Sequence, residues 1–144
     1  TYLLKEVIMK SLFVHIHNIL AWFLFAGSIA MFFLIALSVF GASDTSVHQQ
    51  AGAVLMLAAL LLAIASLIIR VNKWNIILSI LVLLLLFPGQ GLFIYLDLPN
   101  EIRALHALNG VLILFLSYAL ANGFAQAEIE ETNSVQTEAI ASAD

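Results

Sequence analysis

An all-α, integral membrane four-helix bundle is predicted by three observations. The chain of 144 residues is 63% hydrophobic and only 10% charged, with a mean hydropathy of +1.09. A soluble domain carries about a quarter charged residues. The few charges lie at the chain ends and in the joints between four long apolar runs. Each run is about the 20 residues needed to cross ~30 Å of hydrocarbon as a helix, the geometry that satisfies every backbone group within its own segment.

The first run, Ile19 to Phe40, is uncharged, and its helix is expected to begin nearer Ser11. It is longer than the apolar core of a signal peptide, and no small-residue cleavage site follows it. Gly41-Ala-Ser-Asp-Thr-Ser-Val47 then supplies turn residues, with Asp44 or Thr45 as the cap of the second helix. The second run, Ala51 to Ile69, stops at Arg70, and Val71-Asn-Lys73 reads as a tight reversal. The third, Trp74 to Leu96, contains Phe87-Pro-Gly-Gln-Gly91, where the proline frees the Leu84 carbonyl and kinks the helix. Asp97-Leu-Pro-Asn-Glu101 ends it, with Asn100 expected as the next N-cap. The fourth run, Ala104 to Ala127, stops at Glu128. Short joints make neighbours antiparallel, giving an up-down-up-down bundle over residues 11–127.

Lys5, Lys10, Arg70 and Lys73 fall on one side of this arrangement and only Arg103 on the other. The positive-inside bias therefore puts residues 1–10 and both termini in the cytoplasm of a bacterial inner membrane. Met9-Lys10 reads as a natural start, so residues 1–8 are expected to be non-native. Residues 128–144 hold five of the nine acids and no aromatics, and read as a disordered cytoplasmic tail or a segment ordered by a partner. With no cysteine, disulfides, iron–sulfur clusters and thiolate zinc sites are excluded. The net charge of −4 gives no basic face for nucleic acid.

Two stretches repeat. His48-Gln-Gln-Ala-Gly52 opens the second helix and His106-Ala-Leu-Asn-Gly110 opens the fourth. Residues 47–63 lie on 105–121 at an offset of 58, so the two helical hairpins read as a modest internal repeat. Each histidine precedes the next charge by 22 residues, from 48 to 70 and from 106 to 128. Helices 2 and 4 are parallel and diagonal in an up-down bundle, so the two imidazoles sit at matching depth near the outer face. That arrangement suits a haem clamped between two histidines, as metal ligands His48 and His106. Gly52 and Gly110, at i+4 on the same faces, would let a ring edge approach the backbone. Arg103, at i−3 from His106, could meet a propionate, or simply balance Glu101. Gln49, Gln50 and Asn109 are candidates to orient the imidazoles, and Gln90 is a polar group at the same level. The other reading of each histidine is a wet interfacial side chain or a cap for a neighbouring helix. His15 and His17 lie on opposite sides of the first helix, so they cannot both face the core. They read best as interfacial histidines beside Asn18, or as ligands of a shared pigment or quinone. Ala26-Gly-Ser28 lies at comparable depth to Gln90, and packing is the expected use of Gly27.

The phenylalanine-rich first helix, the His-x-x-x-Gly opening helix 2, the glutamine in helix 3 (Gln90) and Leu105-His-x-x-Asn-Gly110 together resemble an uncharacterised family of small four-helix bacterial membrane proteins. The likeness covers roughly residues 11–125. The arrangement is also similar to one half of haem A synthase and, more loosely, to cytochrome b561-type bundles, where histidines on paired helices hold haem b. The chain lacks the glutamate-rich motif of the first extracytoplasmic loop of haem A synthase, so the resemblance implies a haem pocket and not that enzyme's chemistry. The expectation is a haem b-binding electron-transfer subunit of a larger respiratory or photosynthetic complex, not an enzyme by itself. A quinone or a chlorophyll-type pigment are the other cofactors considered. The rival reading is a non-catalytic accessory subunit that scaffolds a membrane complex. A proton-coupled transporter is disfavoured because no carboxylate lies within the four runs.

Overall fold

The computed structural model describes residues 2–69 and 73–141. Arg70 and the reversal expected at Val71 and Asn72 lie outside the described residues, as do Thr1 and residues 142–144. The described chain is helical throughout except at its joints. Helix α1 is Tyr2–Val39 and α2 is Ser46–Ile69. The third crossing is built from α3 (Lys73–Leu84), a π-helical turn (Leu85–Gly89) and α4 (Gln90–Tyr95). The fourth is α5 (Asn100–Arg103) followed by α6 (Leu105–Ala141). The four segments long and apolar enough to cross a bilayer are Ser11–Val39, Ser46–Ile69, Lys73–Phe93 and Asn100–Gly123. This is the helical membrane bundle that the apolar runs predict.

Local chemistry accounts for the boundaries. Helix α1 ends in a Schellman motif. The Gly41 amide donates to Ser38 and the Ala42 amide to Leu37, at 3.1 and 2.8 Å. Gly41 takes φ +73°, which only a residue without Cβ adopts freely. Asp44 starts α2: its carboxylate accepts from the Ser46 amide at 2.8 Å and from the Ser46 hydroxyl. Those bonds, the hydroxyl's first and then the amide's, hold the Asp44 carboxyl below the usual carboxylate range. A depressed folded-state value means the stabilisation is present above the unfolded value and lost as pH falls through the folded one. Asp44→Asn is therefore expected to lower the melting temperature slightly at pH 7 and not at pH 2, read by thermal unfolding at both.

Asn100 is not a cap. Pro99 holds the N-cap position, Asn100 is the first helical residue, and no side chain closes the helix start. Proline at this boundary pre-sets the backbone angle without a side-chain acceptor. The backbone of α6 also runs unbroken to Ala141, across the segment 128–141 that reads as a disordered tail. Its alanines, glutamates and glutamines favour helix once a preceding helix supplies the nucleus.

The four crossings form a square. Neighbours are α1 with α2, α2 with α3, α3 with α6, and α6 with α1. Among the described residues α2 and α6 make no backbone approach, so they face one another diagonally. Each crossing contributes one large apolar side chain, wholly buried, to the centre: Leu24, Leu62, Val82 and Leu120. Small residues bring the backbones together, as expected where lipid removes the hydrophobic drive for helix association. Ala21, Ala58, Ala59 and Ala121 are all buried. Gly27 is the tightest point, since a Cβ built there would run into the Leu55 side chain. Gly27 is thus a packing residue, as its sequence context predicts. Large apolar side chains such as Phe33, Phe40 and Phe115 point outward, consistent with contact to lipid.

Candidate functional site

Capping and turn chemistry set the depth of both histidines. With α2 starting at Ser46, His48 falls in its first turn; with α6 starting at Leu105, His106 is its second residue. Their ring centroids are 6.4 Å apart with the planes at 59°. Both rings are half-buried, both Nδ1 atoms are shut off from solvent, and neither Nδ1 has a hydrogen-bond partner. The rings look into a cavity of about 380 Å³ at the end of the bundle that holds the two joints before α2 and α5. Cofactor-sized pockets begin near 300 Å³.

All four crossings line this cavity. Ser28, Met31 and Phe32 come from α1; His48, Gln49 and Gly52 from α2; Phe87 and Gln90 from the third crossing; His106 and Gly110 from α6. Six of the candidate positions named around the histidines in the sequence therefore converge: His48, Gln49, Gly52, Gln90, His106 and Gly110. The Gln90 Oε1 is buried without a hydrogen-bond partner, so a second polar atom faces the cavity unused. Among the described residues no carboxylate, lysine or arginine lines it.

Other expectations are corrected. Arg103 is exposed and does not line the cavity. It belongs to the short α5, whose residues Glu101 to Arg103 are all exposed. Asn109 is buried, but its Nδ2 donates to the Leu85 carbonyl at 3.0 Å. One residue from Gly110 is about 100° around the helix, which turns Asn109 toward the π-turn rather than the imidazoles. Gln50 does not line the cavity; Gln49 does. At Gly52 a Cβ would meet the Met31 Cε at 3.4 Å, and at Gly110 the Phe32 Cζ at 3.5 Å and the Gln90 Nε2 at 4.0 Å. The bare backbone at both glycines is therefore faced by α1 side chains, because α1 packs between α2 and α6.

His15 and His17 separate as their spacing requires. His15 is exposed, its Nδ1 bonded to the Ser11 carbonyl at 2.9 Å. His17 is 0% exposed, so the interfacial reading fails for it: the face of α1 that carries Ala21 and Leu24 turns it into the core. The sequence analysis missed Met31 and Phe32, which stand among apolar neighbours in a helix that is apolar all round. Ser28 was flagged only by depth.

The donor set limits what the cavity can hold. Among the described residues no group of three or more His, Cys, Asp or Glu could hold a metal ion. Two imidazoles do not complete a tetrahedral zinc site, which takes three or four protein ligands. They fit a metal that brings its own in-plane ligands. Imidazole nitrogens bind first-row metals at about 2 Å, so two rings on opposite sides of one ion stand roughly 6 Å apart between centres. The pair meets that condition at 6.4 Å. By that spacing the two histidines are the residues that could hold a haem iron.

No known protein family, no curated protein and no solved structure matches the chain.

Proposed function

We propose that this chain is a membrane haem b-binding electron-transfer subunit, in which His48 and His106 would hold the iron. The observation that carries the reading is the imidazole pair, 6.4 Å apart on diagonal helices, across a cavity that no charged side chain lines. A haem ligated by two imidazoles supplies one-electron transfer. The chain's own residues do the rest. His48 and His106 would hold the group, Met31, Phe32 and Phe87 would wall it, and Gln90 would offer it an amide.

The lysine and arginine distribution orients the cavity to the outer side of a bacterial inner membrane, with both termini inside. One haem near one surface does not span about 30 Å of hydrocarbon. A partner in a respiratory or photosynthetic complex then carries the remaining path, to or from a quinone.

A reduced-minus-oxidised spectrum of the protein purified from its membrane tests this. A sharp b-type band is expected. A preparation that is colourless, and stays colourless after incubation with haem, overturns it. A second reading, an accessory scaffold with or without bound pigment or lipid, is favoured by the outward phenylalanines of α1, among them Phe23, Phe33 and Phe40. The same colourless result would support it.

A further inference from the structure

The opposite half of the bundle holds a second polar group of residues that the histidine cavity does not include. Every crossing puts one polar side chain into the interior there at similar depth. His17 lies six residues past Ser11 and Ser79 six past Lys73, at the starts of their spans. Ser117 lies six before Gly123 and Ser66 three before Ile69, at the ends of theirs. At about 1.5 Å per residue these positions form one layer, roughly 5–9 Å inside that end. All four are at most 3% exposed, and Asn75, one turn below Ser79, is 6% exposed.

The serines of this layer and Asn75 are short of hydrogen-bond partners. The Ser66 Oγ lies 2.9 Å from the Leu62 carbonyl, the Ser79 Oγ 2.7 Å from the Asn75 carbonyl, and the two hydroxyls 2.8 Å from each other. Two hydroxyls carry two hydrogens, so these three contacts cannot all be bonds at once. The Ser117 Oγ and the Asn75 Nδ2 are enclosed with no hydrogen-bond partner. Unmet polar groups at membrane depth are costly, and bilayer lipid offers nothing to meet them. The Asn75 side chain reaches α6 where that helix has no side chain: a Cβ on Gly123 would stand 3.3 Å from the Asn75 Oδ1.

We propose that this layer is an internal hydration site, holding ordered water between α3 and α6 from Asn75 up to Ser117. The identity of the ligand follows from the donors. The Asn75 Nδ2 can only donate, so it needs an acceptor, which a metal cation is not. Water accepts from Asn75 and donates to a serine oxygen, and buried waters characteristically make two to four such bonds. The site is separate from the haem reading: on α1, His17 and Ser28 are eleven residues apart, about 16 Å along the helix.

Two measurements on the full chain in phosphatidylcholine bilayers test it. In water-edited solid-state NMR, the Asn75 side-chain amide should receive magnetisation from water several-fold faster than that of Asn109, which is equally buried but bonded to Leu85. Equal, slow transfer at both overturns the proposal. Ser117→Ala should lower Tm, because a water loses a partner. In a dry layer it would remove an unmet hydroxyl, so an unchanged or raised Tm overturns the proposal.

Discussion

Replacing either His48 or His106 by alanine is expected to remove at least nine-tenths of the haem absorption of the purified protein, while His15→Ala leaves it in place. The asymmetry follows from position. His48 and His106 look across one cavity, whereas His15 is on the outer surface of α1 with its Nδ1 engaged by Ser11. Each cavity ring approaches from a different helix, and among the described residues no third His, Cys, Asp or Glu joins the pair. Losing a group that merely orients a ligand costs 10–100-fold in metal affinity, and losing a ligand should cost no less. Arg103→Ala should retain the absorption, since Arg103 stands outside the cavity. Both histidine variants should still fold, because the rings fill no part of the apolar centre at Leu24, Leu62, Val82 and Leu120. Retention of the full b-type band in either variant would dismiss the pair as ligands.

The largest structural effect is expected at Gly27. A side chain there must displace Leu55, which is 4% exposed and has little room to turn. Gly27→Val should destabilise the bundle by about 1–3 kcal/mol, the cost of overpacking a filled interior. The loss should show as a lower melting temperature in detergent. Because Met31 and Phe32 follow on the same helix, separating α1 from α2 should also weaken haem retention. Leu55→Ala in the same chain vacates the space the valine needs, so the double variant should be more stable than the two single losses predict. A Gly27→Val protein that melts like the parent would show that the two helices are not held this closely.

The crossings and much of the cavity were legible because both are written in spacing. A break of charge every 20 or so residues marks a membrane helix, and a histidine with glycine at i+4, twice, marks two equivalent helix faces. What escaped notice depends on information that spacing does not carry. Helix α1 is apolar around its circumference, so nothing in its pattern says that His17, Met31 and Phe32 face inward while His15 does not. Arg103 is exposed because an i−3 relation fixes a side of the helix and not whether another crossing covers that side. The role of Asn109 was hidden in another segment: its partner is a carbonyl of the turn around Pro88. The proline announces a distortion there, but not its form. Residues 70–72, where a reversal is expected, lie outside the described chain.

That turn around Pro88 has a consequence for how the third crossing can vary. The inward positions of α3, Asn75, Ser79 and Val82, recur at steps of four and three. Continued without interruption, that phase would bring residues 86 and 89 to the interior. Leu86 keeps to that phase and lines the histidine cavity; the wider winding of Leu85–Gly89 then absorbs one surplus residue, worth about 100° of rotation, and Gln90 lines the cavity after it. The two halves of this helix are therefore geared separately: the lower half is phased to the serine layer and the upper half to the histidines. Trimming a single residue from the wide turn would disengage the upper half and swing the glutamine toward lipid, leaving the lower half as it was.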